Sequence, residues 1–276
     1  MKREKMNGWS LDFDFPLKDG YIPKPRTYGL TMLLDRGLGL RETNDLLEMC
    51  ADYIDFWKLG FGTSALYHPF ILRNKINVIN SYNVKVMPGG TFTEIMLLQG
   101  KLKPYLDRAA ELGFSALEIS EGTIEIPSWQ RSEAIKMARE KGFQVLTEVG
   151  KKESGSFFDP ELKSAQILKD LEDGAFKVIL EGRESGRNVT IFNEEGEVEQ
   201  EKVNRLLLHI GGPEEIIWEA PLKEQQVFFI KTFGAKVNLG NIHPVDLLSL
   251  QALRSGLRSD TLRLTLAEKQ KPQISH

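Results

Sequence analysis

A cluster of residues that could do chemistry lies at positions 143–152, which read FQVLTEVGKK. An apolar, partly alternating run leads to Glu148, and Lys151 and Lys152 follow just beyond Gly150. A carboxylate beside two ammonium groups, at the exit of a predicted strand, suits a site that handles an anion, a proton or a metal ion. A solvated ion pair at a strand end would show the same pattern, so this stretch alone leaves both interpretations open.

Most of the other short apolar runs in the chain also end in glycine, polar or charged residues. In chain order, these residues are Asp35, Lys58, Gly89, Gly90, Glu118, Ser120, Glu148, Lys151, Glu181, Arg183, Glu219, Asn238 and Asn241. One such residue is typical of any solvated strand end, but a series of this length is not. In a barrel of parallel strands, the carboxyl ends all meet at one face, where the active site is built. We therefore predict that these residues surround one site.

The elements that must position this site alternate between strand-like and helix-like segments. Strands are predicted at 28–34, 53–57, 84–87, 116–119, within 143–152, and at 176–180, 215–218 and 236–238. Helices are predicted at 41–51, 69–82, 101–112, 128–141, 159–173, 197–210, 225–233 and 243–254. Such alternation indicates a parallel sheet, and eight units in about 250 residues match a (β/α)8 barrel. The predicted fold is therefore an α/β, single-domain (β/α)8 TIM-type barrel.

The rest of the chain organisation is simple. Residues 1–26 are polar and broken by prolines, which predicts an extended N-terminal lead-in. Residues 27–262 are assigned to the barrel, and 263–276 to a polar C-terminal tail. A doubly wound open sheet is the rival fold, but its usual GxGxxG turn is missing, since residues 37–39 supply only a GLG fragment.

Composition narrows the function classes. The 276 residues are 41% hydrophobic and 27% charged, and the net charge of −3 argues against non-specific nucleic-acid binding. The single cysteine, Cys50, excludes a disulfide within the chain and a cysteine-cluster metal site. No apolar run approaches the roughly 20 residues of a membrane span, and the N-terminus lacks a signal-peptide core. We therefore predict a cytoplasmic protein without a membrane partner.

The carboxylates at the predicted strand ends indicate a metal ion. They are Asp35, Glu118, Glu148, Glu181 and Glu219. Like charges that converge on one space need a counter-ion, and Mg²⁺ prefers oxygen ligands and keeps waters that a substrate can replace. Pairing of each carboxylate with a neighbouring lysine or arginine is the alternative, and both stay open. The four histidines do not show the spacing of a zinc site.

The basic residues indicate an anionic substrate. Arg183 and Arg187 lie in a glycine-containing loop after the sixth predicted strand. Backbone N–H groups of Gly240 and Asn241 are predicted near the start of the last helix. Barrels often hold phosphate in the loops after strands seven and eight, at such a helix start. A plain tight turn is the alternative for Gly240.

Eight short motifs, taken in order, resemble the phosphosulfolactate synthase family. They are DRGLG (35–39), KLGFGTS (58–64), PGGT (88–91), EIS (118–120), EVGKK (148–152), EGRESG (181–186), WEAP (218–221) and VNLGNI (237–242). The resemblance covers about residues 26–261. It implies an oligomeric (β/α)8 barrel that adds sulfite to phosphoenolpyruvate with Mg²⁺, giving (2R)-O-phospho-3-sulfolactate. Such a carbon–sulfur lyase would serve coenzyme M or sulfolactate biosynthesis.

Within this resemblance, roles can be assigned to individual residues. Lys151 is predicted to deliver a proton to C2, and Lys58 and Arg183 to hold the phosphate, carboxylate or sulfite groups. The remaining predicted substrate-binding residues are Arg36, Arg187, Gly240, Asn241, Asn238 and Ser120. Arg36 departs from the lysine expected in many members, so a planar guanidinium replaces a point charge there.

Two other functions remain open at this point. One is another Mg²⁺-assisted lyase or aldolase that acts on a phosphorylated carboxylate. A class I aldolase would form a Schiff base through Lys58 or Lys151. The other is a non-catalytic barrel that binds phosphoenolpyruvate or Mg²⁺ without turnover.

Overall fold

The computed structural model describes residues 20–153, 155 and 157–269, with side chains up to residue 264. The strands are β1 Thr31–Asp35, β2 Phe56–Leu59, β3 Lys85–Pro88, β4 Ala116–Ser120, β5 Gln144–Val149, β6 Lys177–Leu180, β7 Ile216–Glu219 and β8 Leu239–Ile242. The α-helices are α1 Leu40–Cys50, α2 Pro69–Ser81, α3 Gly90–Leu98, α4 Leu102–Leu112, α5 Ser128–Glu140, α6 Pro160–Asp173, α7 Gln200–Ile210, α8 Lys223–Phe233, α9 Leu247–Arg254 and α10 Ser259–Lys269.

The strands form one parallel sheet that curls into a barrel. Their order is β3-β2-β1-β8-β7-β6-β5-β4. The sheet closes between β3 and β4, where the backbone N–H of Ser115 donates to the carbonyl of Val86 at 3.1 Å. The Ser115 hydroxyl accepts from the Val86 N–H at 3.0 Å. The predicted (β/α)8 barrel fold is therefore confirmed.

Local sequence explains where several helices begin and end. Asp159 caps α6 by accepting hydrogen bonds from the backbone N–H groups of Glu161 and Leu162, and Pro160 occupies the first helical position. Gly113 and Gly174 end α4 and α6 in the left-handed conformation, at φ values of 93° and 104°. Glycine favours this conformation because it lacks a Cβ atom.

Two apolar cores hold the barrel together. The outer core fills the space between strands and helices, as expected when amphipathic helices cover a parallel sheet. The inner core plugs the barrel and consists of Leu30, Met32, Phe56, Met87, Ala116, Leu146, Ile179 and Ile217. Side chains therefore fill the interior of the barrel below its mouth. The mouth is the face formed by the carboxyl ends of the strands.

Strand alternation places a charged layer directly above the inner core. Residues two apart on a strand point to the same side, so each inward apolar residue is followed by another inward residue at the mouth. The residues in this upper layer are Lys58 on β2, Glu118 on β4, Glu148 on β5, Glu181 directly after β6, and Glu219 on β7. All five are buried. One repeated pattern thus delivers five ionisable side chains to one level of the barrel.

Some predicted boundaries differ from the structure. Strand 8 was expected at 236–238 but runs from Leu239 to Ile242. Asn238 therefore precedes the strand, at the end of the barrel opposite the mouth. Its amide donates to the carbonyls of Glu214 and Ile216 and accepts from the N–H of Leu30. The prediction that Asn238 belongs to the substrate site is wrong, because its side chain joins strand ends at the closed face.

Other differences concern the helices and the termini. The second strand lies at Phe56–Leu59 instead of 53–57, and α3 was not predicted at all. α10 covers part of the predicted polar tail, while residues 1–19 of the lead-in and 270–276 lie outside the described residues. Among the helices that the structure describes, none combines the length and apolar character needed to cross a membrane.

Candidate active site

A cavity of about 170 Å³ opens at the mouth of the barrel. Its charged lining residues are Lys58, Glu118, Glu148, Lys152, Glu181, Arg183, Glu184 and Glu219. Its uncharged lining residues are Leu34, Gly60, Phe61, Gly89, Gly90, Thr91 and Asn241. The charged residues come from β2 and from the β4–β7 half of the barrel, so one side of the cavity is ionic and the other is mostly backbone and apolar surface.

Lys58 lies at the centre of the ionic side. Its Nζ is 2.9 Å from Glu118 Oε2, 3.1 Å from Glu148 Oε2 and 3.2 Å from Glu219 Oε1. Burial by itself would lower the pKa of Lys58, but the attraction of these three carboxylates raises it well above its usual value. Lys58 is therefore positively charged and forms ion pairs with residues of three other strands, β4, β5 and β7.

Lys152 supplies the second ammonium group of the cavity. Its Nζ is 2.6 Å from Glu148 Oε1 and 3.3 Å from Glu181 Oε2. Burial opposes the charged form, but Glu148 and Glu181 outweigh it and raise the pKa of Lys152. The ammonium is therefore protonated at neutral pH and lies against the space where a substrate would bind.

Lys151, which was predicted to be the catalytic lysine, points elsewhere. Its Nζ donates to the backbone carbonyls of Glu121 at 3.1 Å and Ile124 at 2.9 Å, and it does not line the cavity. Gly150, with φ of 123°, ends the alternation of β5 just before the two lysines. The residue that faces the cavity is the next one along the chain, Lys152.

The four cavity glutamates, Glu118, Glu148, Glu181 and Glu219, are named here the glutamate cluster. Burial raises the pKa of Glu118 to about 8, with Lys58 opposing the shift and Glu148 adding to it. Burial, followed by repulsion from Glu148, also raises the pKa of Glu181 and, less strongly, that of Glu219. The pKa of Glu148 is lowered despite its burial, because Lys152 and Lys58 both lie against it. The cluster thus carries more carboxylates than its two lysines neutralise.

Three of these glutamates could hold one metal ion. An oxygen atom from each of Glu148, Glu181 and Glu219 lies within 4.8 Å of the other two. Glu181 Oε2 accepts no hydrogen bond from the described residues, although it faces Lys152. A buried carboxylate oxygen without a hydrogen-bond donor is costly unless a ligand satisfies it. Three of the five predicted metal-binding carboxylates therefore converge, and Glu118 lies beside them on Lys58.

Asp35, the fifth predicted metal ligand, lies outside the cavity. Its Oδ2 accepts from Trp57 Nε1 at 2.8 Å and pairs with Lys75 Nζ at 2.5 Å. Its Oδ1 accepts from the backbone N–H groups of Gly37 and Leu38. The expectation that Asp35 joins the other carboxylates is wrong, because its side chain points outward from β1 and fastens the loop that follows.

The predicted substrate-binding residues divide into two groups. Arg183 and Asn241 line the cavity, and Asn241 Nδ2 donates to the Arg183 carbonyl at 3.1 Å. Arg36 and Arg187 are exposed and outside the cavity lining. Gly240 instead packs inside the barrel, since a Cβ atom there would lie 2.7 Å from Met32 Cε.

Ser120 supports the site from behind the cavity wall. Its hydroxyl donates to Glu94 Oε1 at 2.6 Å and accepts from Lys152 Nζ at 3.3 Å. Glu94 was not predicted as a site residue, because it lies inside the unpredicted helix α3. Gly122 was also not predicted as a site residue. It lies against Lys152, since a Cβ atom at Gly122 would be 2.8 Å from Lys152 Nζ. Proximity of this kind depends on the fold and leaves no local signal in the sequence.

Gly90 allows the glutamate cluster to approach α3. Its N–H donates to Glu118 Oε1 at 3.0 Å, and an added Cβ would lie 2.3 Å from that oxygen and 2.6 Å from Ser120 Cβ. We expect Gly90→Ala to lower the free energy of unfolding by about 1–3 kcal/mol, a typical cost of overpacking. Urea denaturation measures this, with Gly39→Ala at the exposed start of α1 as the control. Equal stability of the two variants would contradict the close approach.

Fold and site together define the class of protein. The chain is a (β/α)8 barrel. At the face where enzymes of this fold carry out catalysis, it has a cavity lined by buried ionisable residues, three of which could hold a metal ion. The model of the (2R)-phospho-3-sulfolactate synthase (ComA) family matches residues 20–260. The chain belongs to this family.

Individual relatives agree with the family match. The phosphosulfolactate synthase of Methanothermobacter thermautotrophicus is 42% identical over 255 residues, covering 92% of this chain and 97% of the relative. That of Methanocaldococcus jannaschii is 44% identical over 237 residues, covering 84% and 93%. Among solved structures, 3-hexulose-6-phosphate synthase from Salmonella typhimurium covers 86% of this chain and 99% of its own, with a TM-score of 0.51 and 14% identity. That similarity shows the fold alone.

Proposed function

We propose that this protein adds sulfite to phosphoenolpyruvate, with Mg²⁺ as cofactor, to give (2R)-O-phospho-3-sulfolactate. The family match supports this reaction. The structural observation that carries the proposal is one cavity that combines a carboxylate-rich wall with the protonated Lys152. In this reaction a carbon–sulfur bond forms at C3, the C2–C3 π bond breaks, and C2 takes up a proton. The enzyme would thus be a carbon–sulfur lyase acting in the synthetic direction.

The residues of the cavity fit a magnesium ion. When all are ionised, the four carboxylates of the glutamate cluster exceed the ammonium groups of Lys58 and Lys152 by two charges. A divalent cation would balance that excess, and the Glu148, Glu181 and Glu219 oxygens are hard ligands of the kind Mg²⁺ prefers. When bound, Mg²⁺ would supply Lewis-acid stabilisation of the negative charge that develops on the substrate.

Lys152 is the proposed proton donor. As the sulfur of sulfite bonds to C3, the electron pair of the double bond moves onto C2 and its carboxylate. A protonated amine at the edge of the cavity can then deliver its proton to C2 from one side. Lys152 is held for this role by Glu148 and Glu181, whereas Lys151 uses its ammonium group on backbone carbonyls.

Lys58 has a different proposed role. It is enclosed by Glu118, Glu148 and Glu219, and these three carboxylates occupy the three N–H donors of its ammonium group. We assign it to fixing the orientation of these carboxylates and to partly neutralising the site. Arg183 at the cavity wall is the proposed contact for a phosphate or carboxylate group, since its guanidinium offers paired donors. Arg36 and Arg187, which are exposed outside the cavity, would attract anions to the mouth.

The proposal is tested by following phosphoenolpyruvate in the presence and absence of sulfite. We expect its loss only when sulfite and Mg²⁺ are both present. Borohydride added with pyruvate would trap a Schiff base if the protein were a class I aldolase. A labelled lysine peptide would therefore favour that alternative, and binding of phosphoenolpyruvate without loss would favour a non-catalytic barrel.

We also propose a cytoplasmic location, a homo-oligomeric assembly and small anions as the only ligands of this site besides the metal. The net charge of −3 supports the lack of a nucleic-acid partner. The product would enter coenzyme M or sulfolactate biosynthesis. Analytical ultracentrifugation of the purified protein tests the assembly.

A further inference from the structure

We propose that Glu94 and Lys151 are positioning residues that hold the 121–124 loop, which follows β4, and thereby place the ammonium of Lys152. This inference rests on the proposed function, in which Lys152 is the proton donor. Neither side chain lines the cavity. Both act through the backbone of the same four residues.

Glu94 fastens the loop from α3. The side chain is 1% exposed. Its Oε2 accepts from the backbone N–H groups of Thr123 at 2.9 Å and Ile124 at 3.0 Å, and its Oε1 accepts from the Ser120 hydroxyl at 2.6 Å. A carboxylate that accepts three hydrogen bonds in a buried site fixes the backbone it contacts. Glu94 therefore fastens both the end of β4 and the far side of the loop.

Lys151 fastens the same loop from the β5 side. Its Nζ donates to the carbonyls of Glu121 and Ile124. The backbone N–H of the next residue, Lys152, donates to the Gly122 carbonyl at 2.9 Å. Ile124 is thus held at its N–H by Glu94 and at its carbonyl by Lys151. The loop and the β5 exit therefore form one unit, and a shift of the loop would move Lys152.

The Lys152 side chain lies directly on this loop. A Cβ atom added to Gly122 would meet Lys152 Cγ and Nζ, each at 2.8 Å. From there the ammonium reaches Glu148 and Glu181. The loop backbone is therefore the surface that sets the path of this side chain. A displacement of about 1 Å at a reacting group can cost roughly 10²-fold in rate.

Glu94 could instead act on Lys152 by charge alone, because Glu94 Oε1 lies 3.8 Å from Lys152 Nζ. Two substitutions separate these roles. Glu94→Gln removes the charge, but its amide oxygen can accept from Thr123 and Ile124 and its amide nitrogen can donate to Ser120. Glu94→Ala removes the charge and the hydrogen bonds together.

The kinetic test compares these variants under saturating substrates. We expect Glu94→Ala to lower kcat about 10- to 100-fold with a smaller change in KM, and Glu94→Gln to retain kcat within about threefold. Lys151→Met should resemble Glu94→Ala. Glu125→Ala, at an exposed position just after the loop, is the matched control. Equal losses in Glu94→Gln and Glu94→Ala would overturn the positioning role in favour of charge.

A second readout does not depend on turnover. Acylation of each lysine by an amine-reactive reagent is followed by peptide mass spectrometry on the folded protein. Loosening of the loop should speed the labelling of Lys152 several-fold in Glu94→Ala and leave Glu94→Gln near wild type. Lys136, exposed on α5, provides the internal reference. Unchanged labelling of Lys152 in Glu94→Ala would overturn the inference even if the protein had no activity towards sulfite. If labelling of Lys152 is faster in Glu94→Ala but the protein has no activity towards sulfite, the role of the loop contacts stands and only the proposed function is refuted.

Discussion

Replacing Lys152 with methionine is expected to lower kcat about 10²- to 10⁴-fold, the usual contribution of a general acid. The side chain that is lost donates the proton to C2 in the proposed reaction, and no other lysine of the described residues combines cavity exposure with a position at its edge. Steady-state kinetics with phosphoenolpyruvate and sulfite measure this, and the change in KM should be smaller than that in kcat. Lys152→Arg should stay well below wild type, because the larger, planar guanidinium cannot place a donor N–H where the Lys152 ammonium lies.

Lys151 and Lys136 supply the comparison variants for this experiment. Lys151→Met should lose less activity than Lys152→Met, since it displaces the donor without removing it. Lys136→Met, at a 59% exposed side chain, should behave as wild type. A purely electrostatic role for Lys152 would give the opposite ordering of its own variants, with arginine near wild type. If Lys151→Met were the more damaged protein, the assignment of the donor would fail.

Removing the metal is expected to abolish turnover. Lewis-acid stabilisation is worth several kcal/mol, which corresponds to a loss of about 10²- to 10⁴-fold in rate. We expect activity to disappear after thorough chelation and to return with Mg²⁺. Glu181→Gln and Glu219→Gln should each weaken Mg²⁺ binding in calorimetric titrations, because each removes one charged ligand of the three that converge.

Glu215→Gln is the matched control for the ligand variants. Glu215 immediately precedes β7, at the opposite end of that strand from Glu219, and pairs with Lys177 at 2.8 Å. This substitution should leave the affinity for Mg²⁺ unchanged. Full activity in a chelated sample, or unchanged Mg²⁺ affinity in both ligand variants, would refute the metal-binding role of the glutamate cluster.

The fold could be predicted because it depends on patterns that repeat along the chain. Alternation of short apolar runs with amphipathic segments fixed the number of strands and their parallel arrangement. Two helices, α3 and α10, were not predicted. In α3 the polar residues Thr93 and Glu94 are buried while Leu98 is exposed, so the helix lacks the apolar periodicity that revealed the others. The eighth strand was predicted to start at residue 236, three residues before its observed start at Leu239. The sequence of Val237 and Asn238 does not distinguish a strand from the segment that leads into one.

The site was predicted only in part because the direction of a side chain is harder to infer than its position. Met32, Leu33 and Leu34 are all buried, as both faces of a parallel strand are in a barrel. The sequence of β1 therefore cannot show whether Asp35 points inward. Lys151 and Lys152 follow Gly150, whose backbone departs from the strand, so strand alternation no longer predicts which lysine faces the cavity. The four glutamates at the ends of β4 to β7 were predicted to face one site, and all four line the same cavity.

The formation of the carbon–sulfur bond itself is the most direct test of the proposed function. The purified protein is incubated with sulfite, Mg²⁺ and phosphoenolpyruvate carrying ¹³C at C3, and the labelled carbon is followed by NMR. We predict that the vinyl signal is replaced by that of a methylene carbon bearing a sulfonate, with the phosphate ester retained at C2. This change should require the protein, sulfite and Mg²⁺ together. A vinyl signal that persists in the complete mixture, or conversion to pyruvate and free phosphate, would contradict the account.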